Sequence, residues 1–274
     1  MRAMGHADNQ PDWNRIAERF DLWLPHLAPV GEALMEALEP RPGDHVLDLA
    51  SGTGEPALSV ARRFAGEISV TGIDAAAEMV AVAQAKVARE GISHIRFEHM
   101  SAERLTFPDD CFDRALCRFG LMLFDNPARG LSEMRRTLRR GGRFALSVWG
   151  PPETMTSLRW AYEVLKDRLP ETNRPPLVRA TSLGQSGAVE TLLRQVGFRD
   201  FAVDTRTFHY RFATFDAYWE LLETSDILGD GFRALTTEER SIVRQDLRRL
   251  AASCLRNEGL LIPHQYQLAK GYKD

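Results

Sequence analysis

Apolar residues near the start of the chain fall at helical spacing. Trp13, Ile16, Phe20 and Trp23 recur at steps of three and four, and so do Leu34, Met35 and Leu38. Such steps align side chains on one face of a helix, which predicts two helices over 12–38, closed by Pro40 and Pro42. The pattern then changes to short continuous apolar runs. His45–Ala50, Ile68–Ile73, His94–Glu98, Phe112–Cys117 and Arg143–Trp149 read as buried strands. Between them Glu55–Phe64, Ala76–Arg89 and Ala128–Leu138 read as helices. Pro56 sits where a first turn needs no N–H, and Gly141-Gly142 is expected to end the last helix. Strand and helix in strict alternation predict a parallel sheet covered on both faces.

After Trp149 the rhythm breaks. Helical patterns are expected over about 155–169, then a proline-rich loop Pro170–Pro176 and a short helix Val189–Gln195 closed by Gly197. Phe201–Phe212 alternates and is rich in aromatic and β-branched residues, so it reads as a strand. Phe215–Leu222 and Glu238–Asn257 read as helices, and Ile262–Ala269 as a last strand. The expected fold class is therefore α/β: a doubly wound sheet, mainly parallel with a late antiparallel strand. Helical insertions at 151–187 and 213–258 would form a lid. Three parts are expected: N-terminal helices (1–40) over a ligand site, a ligand-binding core (41–150), and the remainder of the sheet with its insertions (151–274).

Composition narrows the class of function. With 274 residues the chain can bury a full core. Its net charge of -3 argues against a nucleic-acid partner, whose binding domains are usually basic. The polar stretch Met1–Gln10 does not read as a secretory signal, and no apolar run approaches the roughly 18–20 residues of a membrane span. Three scattered cysteines read as reduced thiols, so the expected location is the cytoplasm. No histidines fall at metal-ligand spacing, and no metal is expected. A small-molecule substrate is expected, with a homodimer left open.

The chemistry-bearing stretch is Asp48-Leu49-Ala50-Ser51-Gly52-Thr53-Gly54, between the first strand and the first helix. Small residues there let the chain turn sharply and a ligand press on the main chain, at the carboxyl end of the strand where open α/β sheets bind ligands. Asp74 ends the second strand, where a carboxylate can accept from both hydroxyls of a ribose. A dinucleotide fold offers the same two signals, and Gly52-Thr-Gly54-Glu-Pro-Ala57 even fits GxGxxA. Three features weigh against it. Asp48 is placed to meet the amino group of a methionine moiety. Glu55 stands where a pyrophosphate would need to sit. No second mononucleotide-binding half follows the fifth strand.

Residues 42–149 resemble the class I S-adenosylmethionine-dependent methyltransferases, in particular the group of the ubiquinone and menaquinone C-methyltransferases. The run Pro42-Gly43-Asp44-His45-Val46-Leu47-Asp48 through Gly54 is similar to the family's PGxxVLDxxxGxG pattern. Phe107-Pro108-Asp109-Asp110-Cys111-Phe112-Asp113 resembles its LPFPDxSFD segment, and Leu138-Arg139-Arg140-Gly141-Gly142-Arg143 its LKPGGR turn. The resemblance implies a Rossmann-like fold and S-adenosylmethionine as cofactor, with S-adenosylhomocysteine as product. It implies that Ala50, Ser51, Gly52, Thr53 and Gly54 cradle the methionyl part, that Asp74 holds the ribose, and that Ala75 and Met79 line the adenine. Two departures stand out: alanine at position 50, where glycine is frequent, and Ser101, where many relatives carry an aspartate for the adenine amino group. Ser101 and the backbone of Ala102 are left to contact the ring.

A sulfonium methyl is already activated, so the sequence need not display a catalytic signature. Candidates lie at the carboxyl edge of the sheet. Arg118 follows strand four, where it reads either as an anchor for the acceptor and cofactor or as an ion pair to a neighbouring helix. His209 and His264 read either as bases or as ordinary structural histidines. Trp160, Tyr162, Tyr218 and Trp219 read as the core of a lid or as pocket walls, and Trp13, Phe20 and Trp23 as packing or a flap over the cofactor. The arginine stripe Arg240, Arg244, Arg248 and the Arg135–Arg140 cluster read as solvated faces. The competing readings are a nicotinamide-dependent oxidoreductase and a noncatalytic module that binds S-adenosylmethionine.

Overall fold

In a computed structural model, the structure describes residues 11–171, 174–225 and 229–274. The stretch Met1–Gln10, read above as lacking a secretory leader, lies outside the described residues, as do two positions of the proline-rich loop. Five strands form the parallel part of one sheet: β1 (His45–Leu49), β2 (Ser69–Asp74), β3 (Ile95–His99), β4 (Phe112–Arg118) and β5 (Leu138–Trp149). In β1 every residue after His45 is buried, because helices cover both faces of a central parallel strand.

The late strands are β6 (Phe201–Phe212), the two-residue β7 (Leu255–Arg256) and β8 (Gly259–Tyr272). Sheet order is β3-β2-β1-β4-β5-β8-β6, with β7 paired to β8. β8 runs antiparallel between β5 and β6, so the last strand in sequence is internal to the sheet. Pro263 lies beyond Tyr266, the residue of β8 that faces the end of β5 at Trp149.

The first helices are α1 (Trp13–Phe20) and α2 (Leu24–Leu38), joined by a 3-10 turn, Asp21–Trp23. They are followed by α3 (Ala57–Phe64), α4 (Ala77–Glu90) and α5 (Pro127–Thr137). Local chemistry sets their ends. Asp12 and Asn126 each accept a backbone N–H of the following first turn, and Gly91 closes α4 at φ +65°. α2 packs on β4 and β5, whereas α1 lies across α4, burying Ile16 and Ala17 against Ala76 and Met79. The later helices are α6 (Thr156–Leu165), α7 (Leu177–Ala180), α8 (Ala188–Gln195), α9 (Phe215–Thr224), α10 (Gly229–Arg233) and α11 (Thr237–Ala251). Trp160, Tyr218 and Trp219 are buried among them as core. Among the described residues no helix is long and apolar enough to cross a membrane.

Three expectations needed correction. The helix expected over Glu238–Asn257 stops at Ala251, and the chain folds back through β7 into β8, which begins at Gly259 rather than Ile262. Gly141-Gly142 does not end α5. Leu138 already pairs with Phe112, and Gly141 takes φ +72° inside an irregular start of β5. Helix α3 begins after Pro56 rather than at Glu55.

Candidate active site

A cavity of about 420 Å³ opens at the carboxyl ends of β1, β2, β4 and β5. Its first wall is the turn after β1. Ala50 and Gly52 both take left-handed backbone angles (φ 55° and 54°), which points Gly52 N–H back at Asp74. That N–H donates to Asp74 Oδ2 at 2.8 Å, and Ala76 N–H donates to Oδ1 at 2.9 Å. Each carboxylate oxygen keeps a second lone pair for a ligand hydroxyl. Burial raises the Asp74 pKa, while the two N–H donors hold it down. Ser51 is buried with its hydroxyl unpaired, an orphan beside the same turn.

Ala75 and Met79 line the next stretch, followed by Met100, Ser101 and Ala102 after β3. Trp13, Phe20 and Trp23 of the N-terminal arm close over it. The arm is tied to the glycine turn by a network absent from the sequence reading. Lys86, buried on α4, donates to Thr53 C=O at 2.7 Å and pairs with Asp21 at 2.7 Å, while Thr53 Oγ1 donates to Asp21 at 2.6 Å.

The structure places several expected residues elsewhere. Asp48 is fully buried under the turn and does not line the cavity. Neither of its oxygens reaches hydrogen-bonding geometry, the Ala57 N–H and the Arg118 charge acting only at longer range, and burial drives its pKa well up. Thr53 and Gly54 also stand behind the wall. Thr53 serves the Lys86 network, and Gly54, at φ +107°, is a packing glycine: a Cβ there would lie 2.8 Å from Leu58 Cδ1. His209 alternates with the cavity-facing Tyr210 on β6 and points to the other side. A base role for it is thereby corrected.

The second wall is aromatic. Phe119 and Trp149 stack with ring centres 3.6 Å apart and planes 9° apart, and Trp149 continues onto Phe208. Tyr210 faces His264 at 4.1 Å. His264 lines the cavity but is held as a neutral ring: Nδ1–H donates to Ile262 C=O and Nε2 accepts Ser157 N–H, each at 3.1 Å. Burial pushes its pKa down to about 3. It takes a proton only by giving up Ser157, which corrects its reading as a base. Tyr210 and Trp149 carried no site role in the sequence reading, whereas Phe119 follows Arg118 at the strand-four end where the methyl group is expected. The available signal was their place at strand ends or opposite His209.

Arg118 lies between the walls, its Nη2 donating to Glu55 C=O at 2.9 Å and its charge acting on Asp48. Burial lowers its pKa, yet a guanidinium stays charged. The Glu55 carboxylate accepts from Ser59 N–H at 3.1 Å and Ser59 Oγ at 2.6 Å, and pairs with Arg62 at 2.6 Å. The start of α3 is thus already served by a carboxylate, which leaves a pyrophosphate no welcome there. Elsewhere the arginine stripe is ion-paired: Arg244 and Arg248 share Asp216, and Arg240 meets Glu223.

Comparison with known proteins agrees with this geometry. The family described as "Methyltransferase domain" matches residues 46–142. A demethylmenaquinone methyltransferase of Deinococcus radiodurans is 38% identical over 144 residues, 50% of this chain and 58% of that one. The chain thus spans little more than half of that relative's length. The uncharacterized methyltransferase YcgJ of Bacillus subtilis is 32% identical over 198 residues, covering 71% of this chain and 70% of YcgJ. The crystal structure of YcgJ superposes with a TM-score of 0.60 at 21% identity, over 90% of this chain and 98% of that one. With the turn after β1, the acid ending β2 and this likeness together, the chain belongs to the class I S-adenosylmethionine-dependent methyltransferases.

Proposed function

We propose that the chain transfers the methyl group of S-adenosylmethionine to a small-molecule acceptor held in the aromatic half of the cavity. One observation carries this reading: a single cavity runs from Asp74 and the glycine turn to Trp149 and Tyr210. Asp74 would hold the ribose hydroxyls, Ser51 and Gly52 the amino-acid tail, and Ala75, Met79, Ser101 and Ala102 the adenine. The cofactor brings an already activated sulfonium methyl. What remains for the chain is alignment and exclusion of water. The stacked Phe119–Trp149 pair keeps the acceptor flat, and the arm carrying Trp13, Phe20 and Trp23 shields the site. Arg118 is positioned to face a carbonyl or anionic group on the acceptor.

The apolar, ring-lined half favours quinone-like, phenolic or natural-product acceptors, and the name of the Deinococcus relative supports the first of these. The carboxylate already serving the start of α3 weighs against the nicotinamide reading. The test is a panel of hydroquinones and phenols incubated with methyl-labelled S-adenosylmethionine, with label counted in the extracted acceptor. Transfer to at least one member is expected. Tight binding of S-adenosylhomocysteine with no transfer across the panel would favour the noncatalytic module, and tight binding of a nicotinamide cofactor instead would overturn the family's chemistry here.

A further inference from the structure

The aromatic wall presents one hydroxyl to the cavity. Tyr210 is 5% exposed and lines the cavity, yet its hydroxyl bonds to no described residue. The neighbouring Tyr218 behaves differently: its hydroxyl is bonded to Ser157 Oγ at 2.8 Å. The Tyr210 ring is packed into the wall while its hydroxyl opens to the cavity, so it is free to meet an atom of whatever binds there. On the same side Trp23, its ring centre 5.6 Å from that of Tyr210, keeps a buried indole N–H that is also unpaired. The hydroxyl can donate and the indole N–H can only donate. What this corner lacks is an acceptor atom.

The surroundings define the rest of the ligand. His264 presses on Tyr210 and is fixed by Ser157 and Ile262, so the phenol ring has little freedom to turn away. Phe119 and Trp149 supply a flat apolar face. The Arg118 charge reaches the phenol and favours negative charge near it.

Resting on the reading of the cavity as a cofactor-plus-acceptor chamber, we propose that the Tyr210 hydroxyl is the anchor for an oxygen atom on a planar acceptor. It donates a hydrogen bond to a ring carbonyl or an ionised ring hydroxyl. Burial pushes the Tyr210 pKa up, so at neutral pH the group is a donor and not a base. The substrate class is thereby narrowed to flat, largely apolar rings that carry an oxygen.

The experiment uses the full chain saturated with S-adenosylhomocysteine and two probes of nearly equal shape, 1-indanone and indane, with affinity read by equilibrium dialysis. The wild type is expected to hold 1-indanone roughly tenfold tighter than indane, the ratio that one net hydrogen bond gives. Tyr210→Phe keeps the ring and removes the donor. It should abolish the preference while leaving the affinities for indane and S-adenosylhomocysteine unchanged. A preference that survives Tyr210→Phe overturns the proposal, as does a wild type that binds neither probe while binding S-adenosylhomocysteine. If the wild type fails to bind S-adenosylhomocysteine, the chamber reading itself falls, a result distinct from the other two.

Discussion

Where the cavity meets β1 and β2 its wall is main chain, and where it meets β5, β6 and β8 its wall is rings. The first wall owes its shape to backbone angles at Ala50 and Gly52 and to N–H groups gathered on Asp74. The second owes its shape to stacking among Phe119, Trp149 and Phe208 and to a histidine pinned by two hydrogen bonds. Main chain offers every protein the same groups, so a ligand read by it imposes a short, recognisable pattern. A wall of side chains can be rebuilt residue by residue without disturbing the sheet. The difference explains how one scaffold keeps a common cofactor while acceptors vary.

The largest expected effect tests the main-chain wall. Asp74→Ala removes the proposed ribose contact and also frees Gly52 N–H, so affinity for S-adenosylhomocysteine should fall by about 3 kcal/mol, some hundredfold. Unchanged calorimetric affinity in a folded variant would break the assignment. The next effect tests the ring wall through pH. His264 is depressed to about 3 in the fold, so below the ordinary value of 6.5 the unfolded chain takes a proton that the folded one refuses. Its neutral state costs nothing above that value, and stability is lost as pH falls from 6.5 toward 3. Between pH 7 and 5 the loss should be about 2 kcal/mol. Burial raises the pKa of Asp48 and Asp74, which act with the opposite sign, so the difference between wild type and His264→Gln in denaturant midpoints isolates the imidazole. A variant with the same pH slope as wild type would show that the ring is not held neutral. The smallest effect concerns Ala50. A left-handed alanine costs about 1–2 kcal/mol, partly offset by glycine's greater unfolded freedom, so Ala50→Gly should stabilise by about 0.5–1 kcal/mol. A lowered Tm would mean that the Ala50 methyl contributes packing beside Gly120 that outweighs its strain.

Much of the main-chain wall was legible in the sequence. Ser51, Gly52, Asp74, Ala75, Met79, Ser101 and Ala102 all line the cavity, because a glycine turn after a buried strand leaves few places for the residues around it. Asp48, Thr53 and Gly54 share that pattern but stand behind it, since a pattern fixes neighbours along the chain and not which atoms face the ligand. Lys86 gave no signal: its burial depends on Asp21 and Thr53, both distant in sequence. The ring wall was less legible. Alternation on β6 correctly separates His209 from Tyr210, but which face looks into the cavity follows from the position of β8, and strand order is not written in local periodicity. The overlong helix at Glu238–Asn257 has the same origin: Leu255–Arg256 is drawn into a hairpin by pairing with Leu260 and Gly259.

The internal position of β8 has a consequence for synthesis. On a ribosome β1 and the glycine turn after it emerge early, and β1 finds its partners β2 and β4 within the next stretch of chain. β6 has no such neighbour, because within the described sheet it pairs with β8 alone and waits until residues 259–272 have been made. Tyr210 and His264 can therefore meet only after β8 has been made, so the ring wall of the cavity takes form later than its main-chain wall.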